Sequence, residues 1–336
     1  RGLGDVYKRQ TLALALGAVR LAKEKVLLNS MKGIETLSRV DVLCVDKTGT
    51  ITEPGMEVTE IRPVKDAQDL ETLAQYVEAS MDQNDTMDAI RKFHKTPVSQ
   101  PWKALDIQPF TSKKKYGAIA FESGIYVLGA PEFVLREGFS ELEQEIAPAT
   151  QAGNRVLAFG KYKGEHLGET LEAPVDLVAW IILSNPLRKN AKETFAYFKQ
   201  QGVTIKVISG DNPATVSAIA QKAGIEGAED LIDTRTLLTE EDLHQAASQY
   251  TVFGRVTPEQ KKSLVEGLQA KGHKVAMTGD GVNDILALKT ADCSIAMESG
   301  NDATKKMAQV VLLDSDFGKM PSIVAEGRRV VNNIQR

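Results

Sequence analysis

The chain has 336 residues, with 41 Lys plus Arg against 45 Asp plus Glu, a net charge of −4 and 42% hydrophobic residues. At roughly 150 residues per domain, this length allows about two domains. The apolar content argues against disorder, and the mildly acidic balance argues against nucleic acid as a partner.

Cys44 and Cys293 each lie in an apolar run without a CxxC neighbour, which argues against a disulfide scaffold or a cysteine-ligated zinc site. The four histidines, His94, His166, His244 and His273, are scattered and form no HExxH motif, so spacing offers no histidine metal site. No segment has the ~18 consecutive apolar residues that cross a bilayer. The closest, Thr11–Val19, is followed at once by Arg20, Lys23 and Lys25, and the chain as written reads as soluble.

In chain order, Leu12–Leu28 has helical composition and is amphipathic after Ala18. Val40–Val45 is a short, valine-rich apolar run ending in Asp46-Lys47-Thr48-Gly49-Thr50, the pattern of a buried strand closed by turn residues. From about Gly55 to Leu183 the pattern is mixed. Helices are expected over Asp69–Ser80 and Thr86–His94, and strands over Tyr116–Phe121, Ile125–Leu128 and Arg155–Tyr162. Ser123-Gly124 reads as a hairpin turn, and Glu132–Arg136 as a short helix opened by Pro131.

The second half alternates. Strands are expected at Thr204–Ile208, Lys274–Met277, Cys293–Met297 and Val310–Leu313. Helices are expected at Asn190–Gln201, Asn212–Ala223, Thr257–Lys271, Asp284–Thr290 and Ala303–Ala308. Strand and helix in series imply right-handed crossovers and a doubly wound parallel sheet. The fold class is therefore α/β. Its parallel-sheet domain is formed by 26–54 with 185–328, and an α+β domain, 55–184, is inserted after the first strand. Pro54 and Pro186 suit a hinge at the two crossings.

In a parallel sheet the carboxyl ends of all strands open on one edge, where ligands bind. Asp46, Ser209-Gly210-Asp211 and Asp280/Asp284 all fall at that edge. Several carboxylates together repel one another unless a cation sits among them. Hard oxygen ligands suit Mg²⁺, with Asp46, Asp280 and the Thr48 carbonyl as its candidate ligands. Gly49, Gly210, Gly279 and Gly281 let backbone N–H groups approach an anion, and the hydroxyls of Thr48, Ser209 and Thr278 add donors.

Lys261, after Arg255-Val256-Thr257-Pro258, is placed to neutralise a transferred phosphoryl group. This inventory fits phosphoryl transfer onto a carboxylate, with Asp46 as nucleophile. In soluble aspartate-dependent phosphatases a second Asp two residues on serves as acid and base; here it is Thr48, which does not titrate near neutrality. An acyl phosphate on Asp46 is therefore expected to persist. No GxxxxGK[ST] is present, so the nucleotide needs another surface. The insertion offers Phe110, Lys113–Lys115, Gly129-Ala130-Pro131 and Arg155.

At these residues the sequence resembles the P-type cation-transporting ATPases. Asp46–Thr50 with Ile51-Thr52 matches their DKTGT[IL]T phosphorylation signature, Thr278–Asp284 matches TGDGVND, and Arg255–Lys261 matches R-V-x-P-x-x-K. The resemblance runs from about Leu12 to the end of the chain. It implies a haloacid dehalogenase-like phosphorylation domain and a nucleotide-binding domain at 55–184, with ATP as substrate and Mg²⁺ as cofactor. By motif position Phe110 stacks on adenine, Lys115 contacts the nucleotide, Gly129–Glu132 forms the G-A-P-E turn and Arg155 faces the phosphates. Lys261 and Ser209 take phosphoryl oxygens, while Asn283 and Asp284 order the site.

Departures are Leu128 for the usual lysine before G-A-P-E, Asn185-Pro186-Leu187-Arg188 for D-P-x-R, and Ser209-Gly210-Asp211 for T-G-D.

The resemblance further implies a membrane protein with this part on its cytosolic face and a transported cation, with calcium first, held elsewhere. Residues 11–25 and 329–336 then read as the ends of truncated stalk helices, and 1–10 as a foreign or erroneous segment. The family's actuator domain has no counterpart in the sequence. Two other readings stand beside this one: a soluble phosphatase or phosphotransferase of the same fold, and a non-enzymatic ATP-binding module.

Overall fold

A computed structural model describes residues 2–95 and 97–335. Arg1 and Arg336, the outer ends of the two terminal segments, lie outside the described residues. The chain separates into two compact units, one made of residues up to Pro54 and from Leu187 onward, the other of Gly55–Pro186.

The first unit is built on an eight-stranded sheet. Its order is Val26–Leu28, Val310–Leu312, Cys293–Met297, Val275–Gly279, Val42–Val45, Thr204–Ile208, Val252–Gly254, Leu231–Asp233. Every neighbouring pair is parallel except the first, where Val26–Leu28 runs antiparallel to Val310–Leu312.

The strand Val42–Val45 is buried along its whole length. Its side chains alternate between two cores, as the pleat dictates. Leu43 and Val45 join Phe195, Phe198, Val216 and Ile323 on one face. Val42 and Cys44 join Leu243, Leu264, Leu268 and Leu288 on the other. Helices thus cover both faces, the doubly wound α/β arrangement expected from the alternation.

The differences from expectation lie at the sheet's margins. The first helix ends at Lys23 rather than reaching Leu28, and Val26–Leu28 is an edge strand. Lys25, with φ of 61°, breaks the helix there. The helix runs from Gly2 through Lys23 without interruption at residue 10. No helix among the described residues is long and apolar enough to cross a membrane.

The second unit is a six-stranded antiparallel sheet in the order Glu57–Pro63, Val175–Ser184, Arg155–Tyr162, Gly124–Gly129, Tyr116–Phe121, Ala104–Gln108. One face packs Leu73, Tyr76, Met87 and Ile90 from two helices against Ile119, Phe159 and Ile181. The other packs Val134, Leu135 and Ile146 against Ala118, Val127 and Trp180. The hairpin loop is one residue earlier than expected. Phe121 pairs with Gly124, leaving Glu122-Ser123 as the loop, and Gly124, at φ of 143°, opens the next strand.

Candidate active site

The strand Val42–Val45 lies between Thr204–Ile208 and Val275–Gly279, both parallel to it. Asp46, Ser209 and Asp280 each follow the carboxyl end of one of these three strands. Residues 163 and 234 positions from Asp46 in sequence are thereby delivered to one sheet edge, where the strand order departs in two directions from a central strand.

Lys261 reaches the same edge from the helix Pro258–Ala270. Thr257 caps that helix with a reciprocal pair: its hydroxyl accepts from the Gln260 N–H at 3.2 Å, and the Gln260 amide oxygen accepts from the Thr257 N–H at 3.0 Å. Pro258 occupies the first turn, where its missing N–H costs nothing. The first turn is fixed, and Lys261 with it.

The Lys261 side chain is 4% exposed. Its Nζ donates to Asp46 Oδ2 at 3.0 Å and to Asp284 Oδ1 at 2.7 Å. Asp284 is itself buried, and its Oδ2 accepts from the N–H groups of Asp280 and Gly281 at 3.3 Å each. One lysine therefore ties the strand-end aspartate to the Gly279–Asp284 turn.

Burial pushes the Asp46 carboxyl above its ordinary value; the Asp284 charge adds to the rise, and Lys261 opposes it. Burial alone would lower Lys261, but Asp46 and Asp284 more than reverse this and hold it protonated. Asp280 is pushed up to about 6, first by burial and then by the charges of Asp46 and Asp284.

Two carboxylates, Asp46 and Asp284, thus share the buried Lys261, and Asp280 lies within reach of their charge. A carboxyl raised by its neighbours' negative charge is a group that a cation would relieve. Gly49, at φ of 79°, sits so close to the Asp280 carboxylate that a Cβ there would collide with it. The Thr48–Gly49 turn and Asp280 are consequently side by side, and the set fits a hard divalent cation: Asp46 and Asp280 as carboxylate ligands and the Thr48 carbonyl as a third.

Ser209 is buried, and its hydroxyl accepts from the Asp211 N–H at 3.2 Å. Gly210 and Asn283 are exposed at this edge. Asp211 forms an ion pair at 2.5 Å with Lys47, whose side chain is buried. The Thr50 and Thr278 hydroxyls are 3.4 Å apart and buried.

Arg188 is a residue that sequence reasoning passed over, noted there only as part of the hinge. It donates to the Gly49 carbonyl at 2.6 Å and to the Ser315 carbonyl at 2.7 Å. It holds the turn carrying Gly49 to the loop after Val310–Leu312. Lys47 was likewise passed over. Its place inside the Asp46–Thr50 run was the available signal, but only the structure gives its partner.

In the second unit, Phe110, Lys115, Gly129 and Arg155 come to one end of the antiparallel sheet. Lys115 precedes Tyr116, which is in register with Gly129, and Arg155 begins the strand that pairs with Gly124–Gly129. Phe110 follows the strand Ala104–Gln108, whose Gln108 pairs with Ala118.

Gly129 lies against the Lys115 carbonyl and Tyr116, where a Cβ would not fit, and the Ala130 N–H donates to that carbonyl at 2.9 Å. Lys115 adopts a φ of 63° and is exposed, Phe110 is half-buried, and Arg155 is exposed. The Phe110 N–H donates to Asp82 at 3.1 Å. Asn84 caps the helix Asp85–Phe93 by accepting from the Met87 N–H at 2.8 Å.

A family model described as a haloacid dehalogenase-like hydrolase matches residues 40–292. The chain is 43% identical over 329 residues to a probable cation-transporting ATPase of Streptococcus pneumoniae, covering 96% of this chain and 41% of that protein. It is 41% identical over 330 residues to a calcium-transporting ATPase of Mycolicibacterium smegmatis, covering 97% of this chain and 41% of that protein. The chain therefore spans about two-fifths of the length of these curated relatives.

Among solved structures, a zinc-transporting PIB-type ATPase in its E2.Pi state superposes with a TM-score of 0.74 at 23% identity, over 98% of this chain and 48% of that one. At that identity the likeness is one of fold. The chain belongs to the haloacid dehalogenase-like hydrolase family, and its relatives are cation-transporting ATPases.

Proposed function

We propose that this chain is the phosphorylated, nucleotide-binding part of an ATP-driven cation pump, and that Asp46 is the phosphate acceptor. The observation that carries the reading is the buried Lys261 ammonium shared by Asp46 at 3.0 Å and Asp284 at 2.7 Å at the sheet edge. A pre-placed cation beside a strand-end carboxylate favours the charge that builds on a transferring phosphoryl group.

An Asp46 carboxylate oxygen attacks the γ-phosphorus of ATP. A phosphorus–oxygen bond forms to Asp46, the bond to the β-phosphate oxygen breaks, and ADP leaves. Lys261 opposes the rise that burial imposes on the Asp46 carboxyl and lies beside the incoming phosphoryl oxygens. Ser209, with the N–H groups around Gly210, takes the remaining oxygens. Asp211 steadies Lys47, and Asn283 and Asp284 order the turn. Mg²⁺, held by Asp46, the Thr48 carbonyl and Asp280, would supply further neutralisation of phosphate charge.

In the second unit, Phe110 stacks on the base, Lys115 and the Gly129 turn contact the nucleotide, and Arg155 faces its phosphates. The names of the relatives, as transporters, support a membrane setting, and we place this part on the cytosolic side, where ATP is. They also support a transported cation, with calcium as our first choice.

Incubation with γ-labelled ATP and Mg²⁺ tests the reading. The chain is expected to acquire acid-stable label that hydroxylamine removes, and Asp46→Asn to acquire none. Label that persists in Asp46→Asn would mean another residue is the acceptor.

A further inference from the structure

Apart from the sheet edge, the first unit carries a second cluster of metal-ligating side chains. Glu240 and His244 lie four residues apart on the helix Glu240–Gln249, and so share a face. Glu266 comes from the neighbouring helix Pro258–Ala270. The two helices approach closely at Gly267, where a Cβ would stand 2.6 Å from the His244 Cα and 3.0 Å from its carbonyl oxygen. That approach brings Glu266 over His244. One donor atom from each of Glu240, His244 and Glu266 lies within 4.8 Å of the other two, the one such triplet among the described residues.

The distances show what the cluster lacks. His244 Nε2 is shut off from solvent and has no hydrogen-bond partner. It is 3.7 Å from Glu240 Oε1 and 4.0 Å from Glu266 Oε2. Both exceed hydrogen-bond length, which for such a pair is about 2.7–3.2 Å. Two ligands on one tetrahedral ion stand about 3.3 Å apart for metal–ligand bonds of ~2.05 Å, so both carboxylates would draw in toward His244 by less than about 1 Å to share an ion. The other Glu266 oxygen, Oε1, faces Lys262 at 3.6 Å, so the carboxylate is oriented with Oε2 toward His244.

From this geometry we propose that Glu240, His244 and Glu266 form a binding site for a divalent transition cation of the zinc class. One imidazole nitrogen and two carboxylate oxygens, with solvent completing the shell, suit such an ion and not Mg²⁺. The bound ion pins the two helices together. Because the second of them carries Lys261, the clamp would also steady the helix that supplies the buried lysine. The site is independent of the phosphate-acceptor reading.

The test is equilibrium dialysis of the whole chain against Zn²⁺ in excess Mg²⁺, with metal content and thermal unfolding measured. A single Zn²⁺ is expected per chain, with a rise in Tm. Glu266→Gln, which keeps the side chain's shape, and His244→Ala should each weaken binding by about tenfold or more, while Asp280→Asn leaves it unchanged. Circular dichroism confirms that the variants fold. No Zn²⁺ bound by the parent chain, or Zn²⁺ retained undiminished by folded Glu266→Gln and His244→Ala, overturns the site.

Discussion

Asp280, with its carboxyl pushed up to about 6 from 3.8, is a residue whose ionisation works against the fold. Between those two values the native chain binds more protons at this group than the unfolded chain does. Stability therefore falls as pH rises through that window and stays lower above it. Asp280→Asn removes the cost, and should raise stability at pH 8 by on the order of 2 kcal/mol, a gain that fades toward pH 4. Mg²⁺ should stabilise the parent and not the variant. Urea unfolding at both pH values, with and without Mg²⁺, checks this; equal stability at pH 8 would mean that the carboxyl is not held up.

Lys261 poses the complementary case. Replacing it with Met leaves Asp284 buried without its cation, at a cost of about 3–5 kcal/mol. The double variant Lys261→Met with Asp284→Asn should recover much of that stability while remaining unlabelled by ATP. This separates the lysine's part in folding from its part at the phosphate.

The elements show why some of this was legible in the sequence and some was not. The strand ending at Asp46 is buried on both faces, so it reads as an unbroken apolar run. Cys293–Met297 is likewise buried throughout with Ser294 its one polar residue, and Thr204–Ile208 is buried from Ile205 onward although Lys206 interrupts its apolar run; the motifs at their ends fell into place once a parallel sheet was assumed. The three-residue strands Leu231–Asp233 and Val252–Gly254 are too short for any periodicity to show. Glu57–Pro63 and Ala104–Gln108 lie at the edges of their sheet, half solvated, and carry charges where alternation was needed. Pairings such as Lys47 with Asp211 and Arg188 with the Gly49 carbonyl depend on tertiary placement, which spacing does not encode.

The Thr257 cap on the Lys261 helix, which the sequence reading gave only as the start of a helix, has a measurable weight. Thr257→Ala should cost about 1 kcal/mol in stability. Because the cap fixes the first turn, labelling of Asp46 should slow as well. A variant that loses stability but labels at the parent rate would separate the cap from the position of Lys261.

At the scale of the whole chain, the proposed function turns on an imbalance between making an acyl phosphate and breaking it. The sheet edge holds Asp46, the proposed nucleophile, with the buried Lys261 and a carboxylate set suited to a cation. Those are the parts that form the intermediate. Hydrolysis needs in addition a base to activate water, and the position that supplies it in soluble phosphatases is Thr48, whose hydroxyl does not take up a proton near neutrality. Asp284 is committed to Lys261 and two backbone N–H groups, and on the proposed reading Asp46 carries the phosphate and Asp280 the cation. The chain should therefore take up label toward one phosphate per molecule and release it slowly. Thr48→Asp should shorten the lifetime of the labelled form, because it puts a titratable carboxylate two residues from the acceptor. A pulse of γ-labelled ATP followed by an unlabelled chase measures both lifetimes. Release from the parent as fast as formation would favour a soluble phosphatase over a pump, since an intermediate that decays at once stores nothing for a transport step.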